Sequence, residues 1–404
     1  MRILIKGCLL VLLACACGAV SGAESPSSYS ETLKNFVGRA VMNRVGHLVL
    51  PEGLIQGGRW SVILTPLPGL DTPDAVPYLI DVLKNGPGWT DERIVSLYDG
   101  RLPYIARCVA AANLGALKDP RVYEPLVDVL LHEGPSPWHD PSAKLPAHDV
   151  RAYAGAALTY LGDERAIPVF LGILRNSTEK NMRSGAVGAL GQLHADEAVD
   201  DLMSIMTDSS ENRDIRGACM RSLALIHDLR TIPAVLETAG ETDYPIIDSI
   251  MKRMTGVYIH TGEKEVLVLE FPELAGQGPF DDLSVWRHWY AVGERWTKER
   301  FEDAYAELER VRRERPELEG LSSIVEVRID NLGRPALPLI MEKIREGDTD
   351  LLYFVRRHSR WKVSEEEGAA EALSWWEANK AKMNVFGYAG EAPVEPVMPE
   401  TPEP

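Results

Sequence analysis

Val150-Arg151-Ala152-Tyr153-Ala154, Met182-Arg183-Ser184-Gly185-Ala186 and Ile215-Arg216-Gly217-Ala218-Cys219 superpose without gaps, at offsets of 32 and then 33 residues. Each is followed four residues later by a leucine: Leu158, Leu190 or Leu223. Downstream, Ala166-Ile167-Pro168, Ala198-Val199-Asp200 and Thr231-Ile232-Pro233 align in the same register. A further copy precedes them at an offset of 44, where Arg107, Ala110, Leu114, Asp119 and Arg121 match Arg151, Ala154, Leu158, Asp163 and Arg165. The earliest trace is Asp74-Ala75-Val76-Pro77. A fixed period of this length is the mark of a repeat architecture.

Each unit reads as two helices joined by a tight turn. Large apolar residues recur at helical spacing in the first helix, whose remaining positions are rich in Ala and Gly, as in Ala154-Gly155-Ala156-Ala157. Small side chains let neighbouring helices approach closely. Leu161-Gly162-Asp163 supplies a helix stop and then a cap, and the second helix runs from Ala166 to Leu174. One helix pair cannot bury its own apolar face, so the copies must stack on one another.

Arg-x-x-Ala, Ala-Leu-x-x-Leu-Gly-Asp and Arg-Ala-Ile-Pro in series resemble the short HEAT-like repeats first noted in phycobilisome lyases. Residues 104–254 carry the pattern, which departs from the family at Ala195 (Asp expected) and Asp200 (Pro expected). Ankyrin and TPR share the period, but their signatures are missing. The resemblance implies an all-α fold, a right-handed α-α superhelix of HEAT-like solenoid type. Met254-Thr255-Gly256, Trp286-Arg287-His288-Trp289 and Trp375-Trp376-Glu377-Ala378-Asn379-Lys380 resemble the segments that end such arrays in exported HEAT proteins of planctomycete-type bacteria. Leu332-Gly333-Arg334-Pro335-Ala336-Leu337-Pro338-Leu339 repeats the turn and second helix. A second, degenerate helical unit is therefore expected at the C-terminus.

The remaining organisation follows from composition. Residues 1–23 read as a signal peptide: Arg2 and Lys6, an apolar run around Leu9–Leu13, and small residues ending Ser21-Gly22-Ala23. Leu12-Leu13-Ala14-Cys15 also resembles a lipoprotein box in a bacterial host, with Cys15 as the lipidation site. Residues 24–72 form an N-terminal helix and extended lead-in, and 73–256 the array. A connector over 257–285 includes apolar alternation from Val257 to Phe271 that predicts a hairpin turning at Thr261-Gly262. A Trp-rich helical unit spans 286–386, with a long charged helix over roughly 299–315. The Pro- and Glu-rich stretch 387–404 has little to bury, and disorder is expected there.

The formal charge is -17, and losing Arg2 and Lys6 with the leader moves it to -19. Nucleic acid phosphates and anionic lipid are repelled by such a surface, and no Lys/Arg-rich run offsets it. Membrane contact is expected only through an anchor at Cys15. Three of the five cysteines lie in the leader, leaving Cys108 and Cys219, too few for a disulfide framework. These two sit on nearly equivalent faces of well-separated units and are expected to stay reduced.

Several constellations invite a chemical reading. Arg107, Arg151, Arg183 and Arg216 recur at one repeat position, either as an anion-binding row or, by the structural reading, paired with turn carboxylates such as Asp119, Asp163 and Asp228. His132, His139 and His148, with Asp140 and Asp149, crowd in and beside the insertion 134–148, without ligand spacing for zinc. Cys219 fills a slot held by Ala154 and Ala186, which suits packing better than nucleophilic attack. Trp286, Trp289, Trp296, Trp361, Trp375 and Trp376 either cap the solenoid or stack on sugars.

No phosphate-cradling loop, nucleophile elbow or paired Cys-x-x-Cys is present. No catalytic, cofactor or metal site is assigned. The leading expectation is a non-enzymatic binding scaffold of the cell envelope or periplasm, taking a basic protein or peptide. In HEAT arrays the second helices usually line the concave side, which makes Glu124, Asp128, Asp200, Asp201 and Glu237 candidates for an acidic groove. The alternatives are a lyase-type enzyme, suggested by the family resemblance alone, and a carbohydrate-binding module built on the tryptophans.

Overall fold

The computed structural model describes residues 26–42, 66–90, 102–135, 149–242, 246–259, 267, 270–275, 280–314, 319–359 and 368–387. Residues 1–23, Cys15, the hairpin turn at Thr261-Gly262, His139, His148, Trp361 and the tail beyond Gly387 lie outside them. The described residues fold as an all-α solenoid. The chain forms two compact units: of the described residues, 26–42, 66–90, 102–135 and 149–157 belong to the first, and 158–387 to the second.

The first unit holds α1 (Pro26–Met42), α2 (Val76–Asn85), α3 (Leu102–Leu117), α4 (Tyr123–His132) and most of α5 (Val150–Leu161). Helix α2 packs on α3 and α4, and α1 on α3. Helix α3 is buried almost all round, from Leu102 to Gly115. Its Asn113 side chain accepts from the Leu67 amide at 2.6 Å and donates to the Leu70 carbonyl at 2.8 Å, pinning the lead-in to the array.

The second unit continues with α6 (Ala166–Asn176), α7 (Lys180–Gln192), α8 (Val199–Thr207), α9 (Arg213–Ile226), α10 (Ile232–Thr242) and α11 (Ile247–Thr255). Helices α7 and α9, the first helices of successive repeats, pack directly on each other, with α6 and α8 alongside. Small residues make this possible. A Cβ on Gly191 would lie 2.7 Å from the Cα, Cβ and Oγ of Ser222. The Ser222 hydroxyl in turn donates to the Val187 carbonyl at 2.8 Å.

The turn that ends each first helix also repeats. Lys118, Gly162, His194 and His227 occupy equivalent positions, and all adopt positive φ, at 52°, 72°, 57° and 63°. A residue there must enter the left-handed region so that the chain can reverse into a tight turn, of 3-10 type after Lys118, His194 and His227. Asp119 and Asp228 then accept from the backbone amide two residues on, which starts the second helix.

Helix α12 (Asp282–Glu314) begins well before the charged stretch expected from residue 299, so the Trp286–Trp289 segment and that stretch are one helix. It packs on α10 and α11, then on α13 (Glu319–Asp330), which leads to α14 (Leu337–Glu346), α15 (Leu352–His358) and α16 (Ala369–Met383). The predicted strand is absent from the described part of 257–271. Val257–Ile259 has no regular secondary structure, and Leu267 and Glu270 are helical. The apolar alternation that suggested a strand arises because Val257, Ile259, Leu267 and Phe271 point into a helical core.

Two segments that the sequence marked separately meet each other. Gly256 (φ 72°) and Gly333 (φ 64°) cross so tightly that a Cβ on Gly333 would collide with the Gly256 carbonyl carbon and the Thr255 oxygen. Arg334 Nη1 donates to the carbonyls of Arg253 at 3.0 Å and Met254 at 3.1 Å, satisfying the end of α11. Tyr258 N donates to the Asn331 carbonyl at 2.9 Å.

The glycines allow a paired test of the stacking. Gly191→Ala is expected to destabilise by about 1–3 kcal/mol through overpacking against Ser222. A methyl group added at Gly172, in α6, would meet nothing within 4 Å, so Gly172→Ala is expected to stabilise by roughly 0.5–1 kcal/mol through helix propensity. Thermal melts giving the opposite order would contradict the arrangement of first and second helices.

Candidate interaction surface

First helices are buried almost all round, whereas second helices keep one exposed face, which decides what a partner can meet. In the first unit α4 exposes Glu124 and Asp128; in the second, α8 exposes Asp200 and α10 exposes Glu237. Asp201 departs from expectation. It is half-buried, and Arg175 from the preceding second helix binds it in two-toothed fashion, Nε at 3.1 Å and Nη2 at 2.6 Å. Asp128 is also engaged, 3.8 Å from Lys84 Nζ and 3.1 Å from His132 Nδ1. Among the described residues Glu124, Asp200 and Glu237 are left without an ion pair.

The repeated arginines find different partners from those expected. The turn carboxylates are held locally: Arg121, Arg165 and Arg230 fold back on Asp119, Asp163 and Asp228, two residues away. The hydrogen bonds from Arg121 and Arg165 hold the Asp119 and Asp163 carboxyls below their ordinary values. The first-helix row instead reaches the ends of second helices. Arg107 Nε donates to the Leu83 carbonyl at 2.8 Å, and Arg216 Nε to the Met206 carbonyl at 2.7 Å, both unsatisfied last-turn groups. Arg107 also binds Glu133, which lowers that carboxyl. Arg151 pairs with buried Asp149, and Arg183 with Glu211. These guanidiniums are structural fastenings, with neither the exposure nor the alignment of an anion row.

The unit with Ala195 in place of the turn aspartate lacks the local clamp. Its next residue, Asp196, receives Lys382 from α16. Sequence reading missed this contact because the partners lie 186 residues apart.

The tryptophans belong mainly to the core. Trp286, Trp289, Trp296 and Trp376 are buried, and Trp375 is half-buried. Trp286 Nε1 donates to Asp248 at 3.1 Å, and the Arg300 guanidinium sits 4.7 Å from the Trp296 ring. Phe386 meets Trp289 edge-on at 5.7 Å, seated where Gly293 has no side chain. Stacking on sugars would require rings that are already covered.

Cys108 and Cys219 are unbonded and buried. Burial pushes the Cys219 thiol up to about 12 and raises Cys108 as well, the opposite of what a nucleophile needs. Among the described residues no group of three or more His, Cys, Asp and Glu could hold a metal ion. No helix among them is long and apolar enough to cross a membrane.

Family models agree with this geometry. The model for HEAT repeats matches residues 142–224 and 171–250, and that for the PBS lyase HEAT-like repeat matches 106–132. Residues 106–132 and 142–250 thus carry HEAT-type repeats. No curated protein matches the chain. Within the HEAT units the Ala, Gly and Cys slots, the turn clamps and the arginines all serve stacking, leaving the outer faces of the second helices exposed.

The raised Cys219 thiol makes a signed prediction. Unfolded chains ionise the thiol above about 8.5, whereas the folded chain keeps it protonated to about 12. Its contribution to stability is full at neutral pH and declines by about 1.4 kcal/mol per unit as pH rises through that window. Cys219→Ala removes the effect, so the stability difference between wild type and variant is expected to shrink steadily between about pH 9 and 12. A constant difference in chemical unfolding would mean that the thiol is not buried.

Proposed function

We propose that this chain is an exported, non-enzymatic scaffold whose second-helix faces hold a basic protein or peptide. The observation that carries the reading is the division of roles in the repeats. First helices are consumed by stacking, while Glu124, Asp200 and Glu237 stand exposed and unpaired on second helices of a chain with net charge -17. Even Arg230, beside Asp200, is already bonded to Asp228. A field of this sign attracts cationic partners and speeds their encounter.

Export rests on residues 1–23 and predicts one of two mature forms. Intact mass of protein from a bacterial host's envelope should show a chain beginning at Glu24 or one acylated at Cys15. A mature chain retaining Met1 would remove the envelope assignment.

Capture from envelope extract with the mature chain should recover a basic protein, without conversion of a small molecule. Association with that protein should slow as salt rises, and slow further, by roughly tenfold, in the Glu124→Lys, Asp200→Lys, Glu237→Lys variant. Asp128 and Asp201 are left intact because their pairs serve the fold. Rates indifferent to both salt and charge reversal would refute the exposed second-helix carboxylates as the binding groups.

A further inference from the structure

Six large apolar side chains are exposed among the described residues; Ile324 at 64% and Val327 at 56% lie on α13, and Tyr258 at 56% and Tyr353 at 53% are linked to its C-terminal end. Ile324 and Val327 lie one turn apart, facing away from Val325 and Ile329, which are buried. Tyr258 is linked to the helix end through its amide bond to the Asn331 carbonyl. Tyr353 is tied to the same helix end: its hydroxyl accepts from Arg357 Nη1 at 2.8 Å, and Arg357 Nε lies 3.2 Å from Asp330. Clustered exposed apolar surface of this kind marks interaction sites, whereas single exposed residues do not.

The charge around the patch opposes that of the chain. Lys252 Nζ sits 5.1 Å from the Tyr258 ring. Arg253, its neighbour in sequence, and Arg328 on α13 are exposed and make no ion pair among the described residues. Of the nearby carboxylates, Asp248 is engaged by Lys252 and Asp330 by both Arg357 and His358, while Glu326, beside Val327, offsets one of the two guanidiniums. What remains is an excess of cationic donors flanking two aliphatic and two phenolic side chains.

We propose that this patch is a docking surface for an acidic segment of a partner protein, one that alternates carboxylates with apolar side chains. Ile324 and Val327 would receive the apolar groups, and Arg253 and Arg328 the carboxylates. A short segment experiences charges within about a Debye length, about 8 Å at physiological salt. An anionic bilayer presents a wide charged plane and meets the repulsion of the whole chain. The geometry therefore favours a peptide over a membrane. This surface is independent of the second-helix faces, which have the opposite charge.

The test uses the full mature chain and a fluorescein-labelled peptide in which glutamate alternates with phenylalanine and valine, followed by anisotropy at physiological ionic strength. Wild type should bind it. Ile324→Ser with Val327→Ser, and separately Arg253→Glu with Arg328→Glu, should each weaken binding by about tenfold or more, with thermal melts unchanged because all four residues are exposed. A control peptide with lysine in place of glutamate should be insensitive to both pairs. Absence of binding by wild type, or equal binding by wild type and variants, overturns the proposal. So does patch-dependent retention on phosphatidylglycerol vesicles without peptide binding. Sedimentation showing a dimer that the serine pair dissolves would overturn it too, assigning the patch to a second copy of the chain.

Discussion

Gly191 and Ser222 bring two first helices so close that one methyl group would not fit between them, and the rest of the array depends on that approach. Interior packing is dense enough that even a methylene is felt. The first helices consequently carry Ala, Gly, Ser or the single Cys219 where they touch, and their polar groups turn inward, as in the Ser222–Val187 bond. Second helices keep an outer face that this contact does not constrain. Exposed side chains can therefore be changed there without disturbing the stack.

Arginine serves the same constraint at a second level. Each second helix ends with carbonyls that no intrahelical amide can satisfy, and tight stacking leaves little room for water. Arg107 and Arg216 reach those carbonyls directly, and Arg334 does the same for α11 across the Gly256–Gly333 crossing. The array thus passes into α12–α16 through backbone contact and a guanidinium cap. The Asp196–Lys382 contact adds a fastening from α16 to the one turn that lacks its own aspartate.

Much of this was legible in the sequence because repetition exposes it. Offsets of 32 and 33 residues placed Ala154, Ala186 and Cys219 in one buried slot, and all three are buried. The exposure of Glu124, Asp128, Asp200 and Glu237 followed from the same register. Contacts between distant segments were not legible. Arg175 neutralises Asp201 by reaching across a repeat, and nothing in the local pattern of either residue announces it. The arginine row was recognised, but its carbonyl partners were not, since every residue has a carbonyl and only geometry selects one. Apolar alternation imitates a strand at Val257–Ile259 because an irregular segment lying on a helical core can also bury every other side chain. The patch at α13 was invisible for a related reason: Tyr258 and Tyr353 are linked to the helix of Ile324 and Val327 only through the fold.

The repeats divide into a buried inner layer of first helices and an outer layer that meets solvent. Native-state hydrogen exchange resolves that division helix by helix. Amides of α7 and α9 should be the slowest to exchange in their unit, most of all around Gly191 and Ser222, with α8 opening earlier while the unit stays folded. Uniform protection across the three helices, or slower exchange in α8 than in α7 and α9, would contradict the claim that close stacking of the first helices holds the array together.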